Sequence, residues 1–202
     1  MISILDITTT ILGLLYILFE VRGSLWMWIV GGLMQALGLV LYYQSGLYAD
    51  CGMEIYYLIM TLYGFLSWKY GKEFWKHKRK INLVIEEKQN RLITHIPIKS
   101  AIIWTLISVA VWIAIYLVLV NFTDSSVPVA DSFTTALSIV GIWALAHKYL
   151  EQWFVWIAVD IVTSVLYFYK EIPFKASLYA LYVIIAIFGY CKWKRKMLSQ
   201  HS

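Results

Sequence analysis

Charge is scarce in this chain. Asp, Glu, Lys and Arg make up 14% of the 202 residues, against roughly 25% in a typical soluble domain. Residues of the apolar class fill 61% of it, which leaves no room for a separate soluble domain. Only two cysteines are present, Cys51 and Cys191, and they fall near opposite ends of their apolar stretches, so no disulfide joins them. There is no Gly-rich phosphate loop, which excludes ATP hydrolysis by the chain itself. There is no His-x-x-x-His pair, no paired Asp motif and no Ser with a buried His, which argues against an intramembrane enzyme and against a metal site. No lysine lies inside the last apolar stretch until Lys192 at its end, which excludes a light receptor built on a Schiff base. Nothing calls for a cofactor.

What the chain does have is length in apolar runs. Seven stretches of about 20 residues, the number a helix needs to cross a bilayer, lie at 4–20, 25–44, 49–69, 98–121, 132–148, 152–170 and 174–193. Asp6 stands where a cleaved signal would place basic residues, so the first stretch reads as a span. A shift of 125 positions aligns the two ends without a gap. Asp6 meets Asp131, Thr9 and Thr10 meet Thr134 and Thr135, and Trp28 meets Trp153. Val40-Leu41-Tyr42 meets Val165-Leu166-Tyr167, Tyr57 meets Tyr182, and Gly64 and Trp68 meet Gly189 and Trp193. The expected fold is an all-α membrane protein of seven transmembrane helices in a 3+1+3 plan: a first repeat at 1–69, a basic loop at 70–97, a linker helix at 98–121, an outer loop at 122–131, a second repeat at 132–193 and a basic tail at 194–202. Internal repeats in a membrane protein point to a transporter.

Fifteen of the 17 basic residues fall on one side of that plan; only Lys170 and Lys175 fall on the other. Positive-inside bias makes the crowded side cytoplasmic, with the N-terminus outside and the C-terminus in the cytosol. The net charge of +5 is explained by topology and needs no nucleic-acid partner. Seven spans also put spans one and five on the same starting side, so the repeats are parallel, as in sugar transporters of the SWEET type.

Polar groups inside the spans carry the functional information, because an ionisable group at membrane depth is costly. Asp160 lies near the middle of span six, about 13–15 Å from each end at 1.5 Å per residue. Gln35 is its counterpart in span two. Glu54 shares a face of span three with Tyr57, Thr61, Gly64 and Trp68, and Trp153, Trp156, Asp160, Ser164 and Tyr167 share a face of span six. Aromatic walls beside a carboxylate suit a flat cation. The alternatives are a protonated Asp160 bonded to a neighbouring helix, a Glu54 that reaches the outer headgroups, and an interfacial aromatic belt for Trp153 and Tyr167. Glu20, Asp50, Asp131 and Glu151 lie at span ends, where charge is ordinary.

The segments YADCGMEIYYLIMTLYGFLSW, HKYLEQWFVWIAVDIVTSVLYFYK and LYALYVIIAIFGYCKW together resemble the PnuC family of bacterial vitamin transporters, over essentially the whole chain. The resemblance implies a homotrimer in the bacterial inner membrane. It implies facilitated diffusion of a dephosphorylated vitamin, which a cytosolic kinase then traps. Members similar to nicotinamide riboside transporters tend to carry Gln where this chain has Glu54 and Asn where it has Asp160. Two carboxylates in place of two amides favour a ligand with more positive character, and thiamine is the expected substrate, with nicotinamide riboside the alternative. Gln152, where relatives often have Asn, is expected to add a polar contact. The expected substrate-binding residues are Glu54, Asp160, Trp153, Trp156, Tyr57, Gln35, Gln152 and Tyr167. A carboxylate midway across the bilayer also suits a proton relay, so proton-coupled transport is a further alternative.

Overall fold

The computed structural model describes residues 4–44, 48–70, 92–123, 127–169, 171 and 173–200. Seven helices run through them: α1 (Ile4–Arg22), α2 (Trp26–Gln44), α3 (Tyr48–Tyr70), α4 (Ile98–Phe122), α5 (Pro128–Ala146), α6 (Gln152–Tyr169) and α7 (Pro173–Ser199). Helix is the form in which an apolar segment satisfies its own backbone, and lipid offers no substitute partner. α4, α5, α6 and the stretch Lys175–Ser199 of α7 are each long and apolar enough to cross a membrane, while the apolar stretch of α2, Trp26–Val40, is shorter. The charges Asp6, Glu20 and Arg22 dilute α1, and Asp50, Glu54 and Lys69 dilute α3. Asp124 to Ser126 of the expected outer loop, and most of the basic loop, lie outside the described residues.

All three prolines mark helix starts. Pro97 caps α4, and Pro128 and Pro173 are the first residues of α5 and α7. A proline costs nothing there, because the first turn has no intrahelical partner for its missing N–H. Pro128 explains why α5 begins four residues before the expected boundary at 132. Asp131 then falls in the first turn, where the helix dipole favours an acid. α7 runs on through the basic residues to Ser199, so the expected tail from 194 is largely helical.

The chain folds as two compact units. One holds α1 to α3 with the segment Ala146–Lys148; the other holds α4, α5 as far as Leu145, α6 and α7. In the first, α2 packs against both α1 and α3; in the second, α6 packs against α7. α4 has no buried residue. It meets α5 through two tryptophans: Trp104 stacks on Trp143 with ring centroids 4.1 Å apart, and Trp112 meets Phe133 edge-on at 5.5 Å.

Residues related by the 125-position shift fold alike. Trp28 meets Trp68 edge-on, centroids 5.5 Å apart at 88°, and Trp153 meets Trp193 at 5.5 Å and 88°. The glycine beneath each pair is fully committed. A Cβ on Gly64 would lie 2.2 Å from Cη2 of Trp28, and one on Gly189 would lie 2.4 Å from Cη2 of Trp153. All four indoles are about as buried as a side chain can be, at 1% exposure.

The turns that lead into α2 and α6 are also copies. The Ser24 amide donates to the Phe19 carbonyl at 2.9 Å, and the Tyr149 amide to the Ala144 carbonyl at 3.0 Å. Each helix before the turn is ended by one left-handed residue, Gly23 (φ 65°) in the first copy and Lys148 (φ 54°) in the second. A side chain in that conformation costs roughly 1–2 kcal/mol. Lys148 is nonetheless buried, with Nζ 4.2 Å from the centre of the Trp68 ring. That cation–π contact offsets part of the strain.

Candidate functional site

Each copy carries a set of polar side chains at mid-helix. In the first, the face of α2 presents Gln35 between Gly31 and Gly38. The Thr61 hydroxyl of α3 donates to Gln35 Oε1 at 3.2 Å. The Gln35 amide nitrogen has no hydrogen-bond partner among the described residues and stays available. Glu54 lies across Gly38: a Cβ on that glycine would fall 2.7 Å from Glu54 Oε1 and 2.9 Å from Cδ. The missing side chain at 38 is what lets the carboxylate lie along α2. Tyr57, one turn on from Glu54, packs against Tyr56 at 5.7 Å. Gln35, Glu54 and Tyr57 are all half-buried.

In the second copy Asp160 is 6% exposed. Its carboxylate makes no hydrogen bond or ion pair among the described residues. Tyr182, the counterpart of Tyr57, meets Tyr179 edge-on at 5.6 Å. Ser164 of α6 donates to the Ala176 carbonyl of α7 at 2.8 Å, which ties the two helices just beyond Asp160. The Trp156 ring lies over Gly141 of α5, where a Cβ would fall 3.2 Å from Cε2 and Cζ2. Its indole N–H is buried with no hydrogen-bond partner among the described residues. Tyr167 stacks on Tyr179 at 5.5 Å, with Lys175 Nζ 5.4 Å from the centre of the Tyr167 ring.

Three expectations change here. Trp153 is not an open aromatic wall: it is 1% exposed and packed against Gly189 and Trp193. Gly64 and Trp68, expected beside Glu54 along a cavity face, are held in the equivalent lock with Trp28. Gln152 is fully buried, and among the described residues neither of its amide atoms has a hydrogen-bond partner. Its counterpart is Met27, equally buried, so the second copy buries an amide where the first buries a thioether.

Charges expected to be ordinary prove to be placed. Glu20 is 3% exposed. Glu151 accepts from the Ile96 amide at 3.0 Å and bonds His95 Nδ1 at 2.6 Å, fastening the segment before α4 to the start of α6. His147 shares a hydrogen bond of 3.1 Å with the Tyr63 hydroxyl. Both cysteines are free, Cys51 buried and Cys191 exposed. A cleft of about 310 Å³ opens at the α1–α2 turn, lined by Gly23, Ser24, Leu25, Trp26, Trp68 and Lys148. None of the expected site residues lines it. Among the described residues no cluster of His, Cys, Asp and Glu is able to hold a metal ion.

Known proteins match this arrangement across its length. The riboflavin/roseoflavin transporter RibM of Streptomyces davaonensis is 27% identical over 191 residues, covering 93% of this chain and 83% of its own. The nicotinamide riboside transporter PnuC of Neisseria mucosa is 25% identical over 200 residues, covering 94% and 71%. The crystal structure of the vitamin B3 transporter PnuC superposes with a TM-score of 0.69 at 21% identity, over 96% of this chain and 81% of that one, and bears on the fold. The family model for the nicotinamide mononucleotide transporter matches residues 3–195. The chain therefore belongs to that family, the PnuC family of multi-pass membrane transporters, and is not an enzyme.

Proposed function

We propose that the protein carries nicotinamide riboside across the bacterial inner membrane by facilitated diffusion. The observation that carries this is the match to the Neisseria mucosa nicotinamide riboside transporter over 94% of the chain, inside a family match over residues 3–195. It displaces the thiamine preference argued from Glu54 and Asp160, since the relatives above are named for nicotinamide riboside and riboflavin. Nicotinamide riboside is itself cationic, so a carboxylate remains a suitable neighbour for its ring, and its carboxamide and sugar hydroxyls suit Gln35 and Tyr57. The riboside suits these groups better than the mononucleotide, because neither polar set holds a lysine or arginine for a phosphate. Riboflavin is the second reading, favoured by the RibM match.

In this reading each copy offers its own groups to the vitamin, Gln35, Glu54 and Tyr57 in the first and Trp156 and Asp160 in the second, and Trp153 supports the fold. The paired locks and turns support a 3+1+3 plan with parallel repeats. The excess of basic residues on one side supports a cytosolic C-terminus. A homotrimer and a trapping kinase follow from the family resemblance.

Proteoliposomes without kinase test the proposal. Labelled nicotinamide riboside is expected to equilibrate without concentrating, and excess unlabelled nicotinamide riboside to compete better than thiamine. Uptake of riboflavin but not of the riboside would select the second reading. Concentration driven by an imposed pH gradient would replace diffusion with proton coupling.

A further inference from the structure

The faces of α2 and α6 that carry Gln35 and Asp160 differ in one respect. On α2 the run is Gly31, Gln35, Gly38; on α6 it is Trp156, Asp160, Thr163. The space above Gly31 is filled from α1. A Cβ on Gly31 would fall 3.0 Å from Cε2 and 3.3 Å from Cδ2 of Tyr16, and 3.7 Å from Gln35 Oε1. The Tyr16 ring and the Gln35 amide therefore meet over the same patch of α2. Tyr16 is half-buried, with part of its surface open.

The second copy makes the same contact with the sizes exchanged. Gly141 is the counterpart of Tyr16, Trp156 is the counterpart of Gly31, and there the large ring reaches from the second helix over a glycine on the first. Each copy thus sets one large ring over a glycine at the level one turn before its mid-helix polar residue. Exchange of sizes across a contact keeps volume constant, which is what packing asks. Packing alone does not ask for an aromatic residue in both.

We propose that Tyr16 is a further ligand-contacting residue, the aromatic wall of the first copy as Trp156 is of the second, and that it takes the face of a flat heteroaromatic ring. The proposal rests on the transport reading above. Stacking of this kind changes affinity by about 2- to 12-fold.

The test uses the full chain in detergent with nicotinamide riboside and riboflavin as probes. Tyr16→Phe should bind both within about 2-fold of the parent, and Tyr16→Leu, which fills space without a π face, should weaken both by about 2- to 12-fold. Riboflavin, with the larger ring system, should lose more, so the ratio of the two Kd values should move. Gly31→Ala should weaken binding by displacing the ring, and should add nothing in the Tyr16→Leu background. Equal binding by Tyr16→Leu and the parent, with matching thermal midpoints, would overturn the role of Tyr16. So would a loss in Gly31→Ala that persists undiminished beside Tyr16→Leu. Failure of the unmodified protein to bind either probe would instead overturn the transport reading.

Discussion

The equivalence of the two locks is exposed to a direct test by adding one methyl group. Gly64→Ala places a Cβ 2.2, 2.4 and 2.6 Å from three ring atoms of Trp28. Gly189→Ala places one 2.4, 2.6 and 2.7 Å from the same three atoms of Trp153. Carbon atoms in contact want about 3.5–4.0 Å, so each indole has to withdraw by more than an ångström. It has nowhere to go, because the other side of each ring meets a second buried indole at 5.5 Å. Overpacking of this kind costs about 1–3 kcal/mol, occasionally more. For a chain of this size that is a fall of about 2–12 °C in the thermal midpoint. Gly52→Ala is the control. It lies in the same helix as Gly64, but its Cβ would meet nothing within 4 Å, and the change should be neutral or stabilising by up to about 1 kcal/mol. The assay is thermal unfolding of detergent-purified protein followed by tryptophan fluorescence. Trp28→Phe should recover part of the Gly64→Ala loss and none of the Gly189→Ala loss. If Gly64→Ala proved as stable as Gly52→Ala, or if the two lock mutants differed several-fold in cost, the account of paired locks would fail.

Gly38→Ala should displace the Glu54 carboxylate and weaken vitamin binding about 10-fold, the worth of roughly one charge-assisted hydrogen bond. In a Glu54→Ala background it should have no further effect, as calorimetry would show. Asp160→Asn together with Glu54→Gln should shift the ratio of Kd values towards nicotinamide riboside and away from thiamine; an unchanged ratio would mean that the carboxylates do not set selectivity. At the paired turns, Gly23→Ala should lower stability by about 1 kcal/mol because φ is 65° there. Lys148→Gly should change stability by less than about 1 kcal/mol, as relief of strain offsets loss of the Trp68 contact. A large loss on Lys148→Gly would assign most of the turn's stability to the lysine side chain.

The paired locks are legible in the sequence because the 125-position register is gapless and the lock residues are identical at both places. The same identity held a warning about Trp153. A tryptophan repeated together with a glycine and a second tryptophan 36 and 40 residues on is a packing set, yet its spacing from Asp160 suggested an aromatic wall. Helical periodicity shows which residues share a face and not which neighbour covers it. The start of α5 at Pro128 was readable from proline chemistry. Its end was not, since a lysine gives no local sign of a left-handed conformation. Only the alignment of Lys148 with Gly23 points there. Tyr16 was hidden for a related reason: its counterpart is a glycine, so comparison of like with like passes over it. Asp160 and Gln35 stand out in the sequence because a polar group in the middle of an apolar helix is visible without any knowledge of its neighbours.

The exchange of ring and glycine between Tyr16–Gly31 and Gly141–Trp156 has a consequence for how such a chain can diverge. A duplicated gene begins with two identical faces, and any change to one ring alters volume in that copy alone. Moving the ring to the opposite helix preserves volume while changing what projects beside the polar residue. The two copies then accumulate different recognition chemistry on a shared framework, and the locks at Gly64 and Gly189 are free to stay the same. A chain built in this way can change what projects beside residue 35 or beside residue 160 without changing the packing of the lock residues.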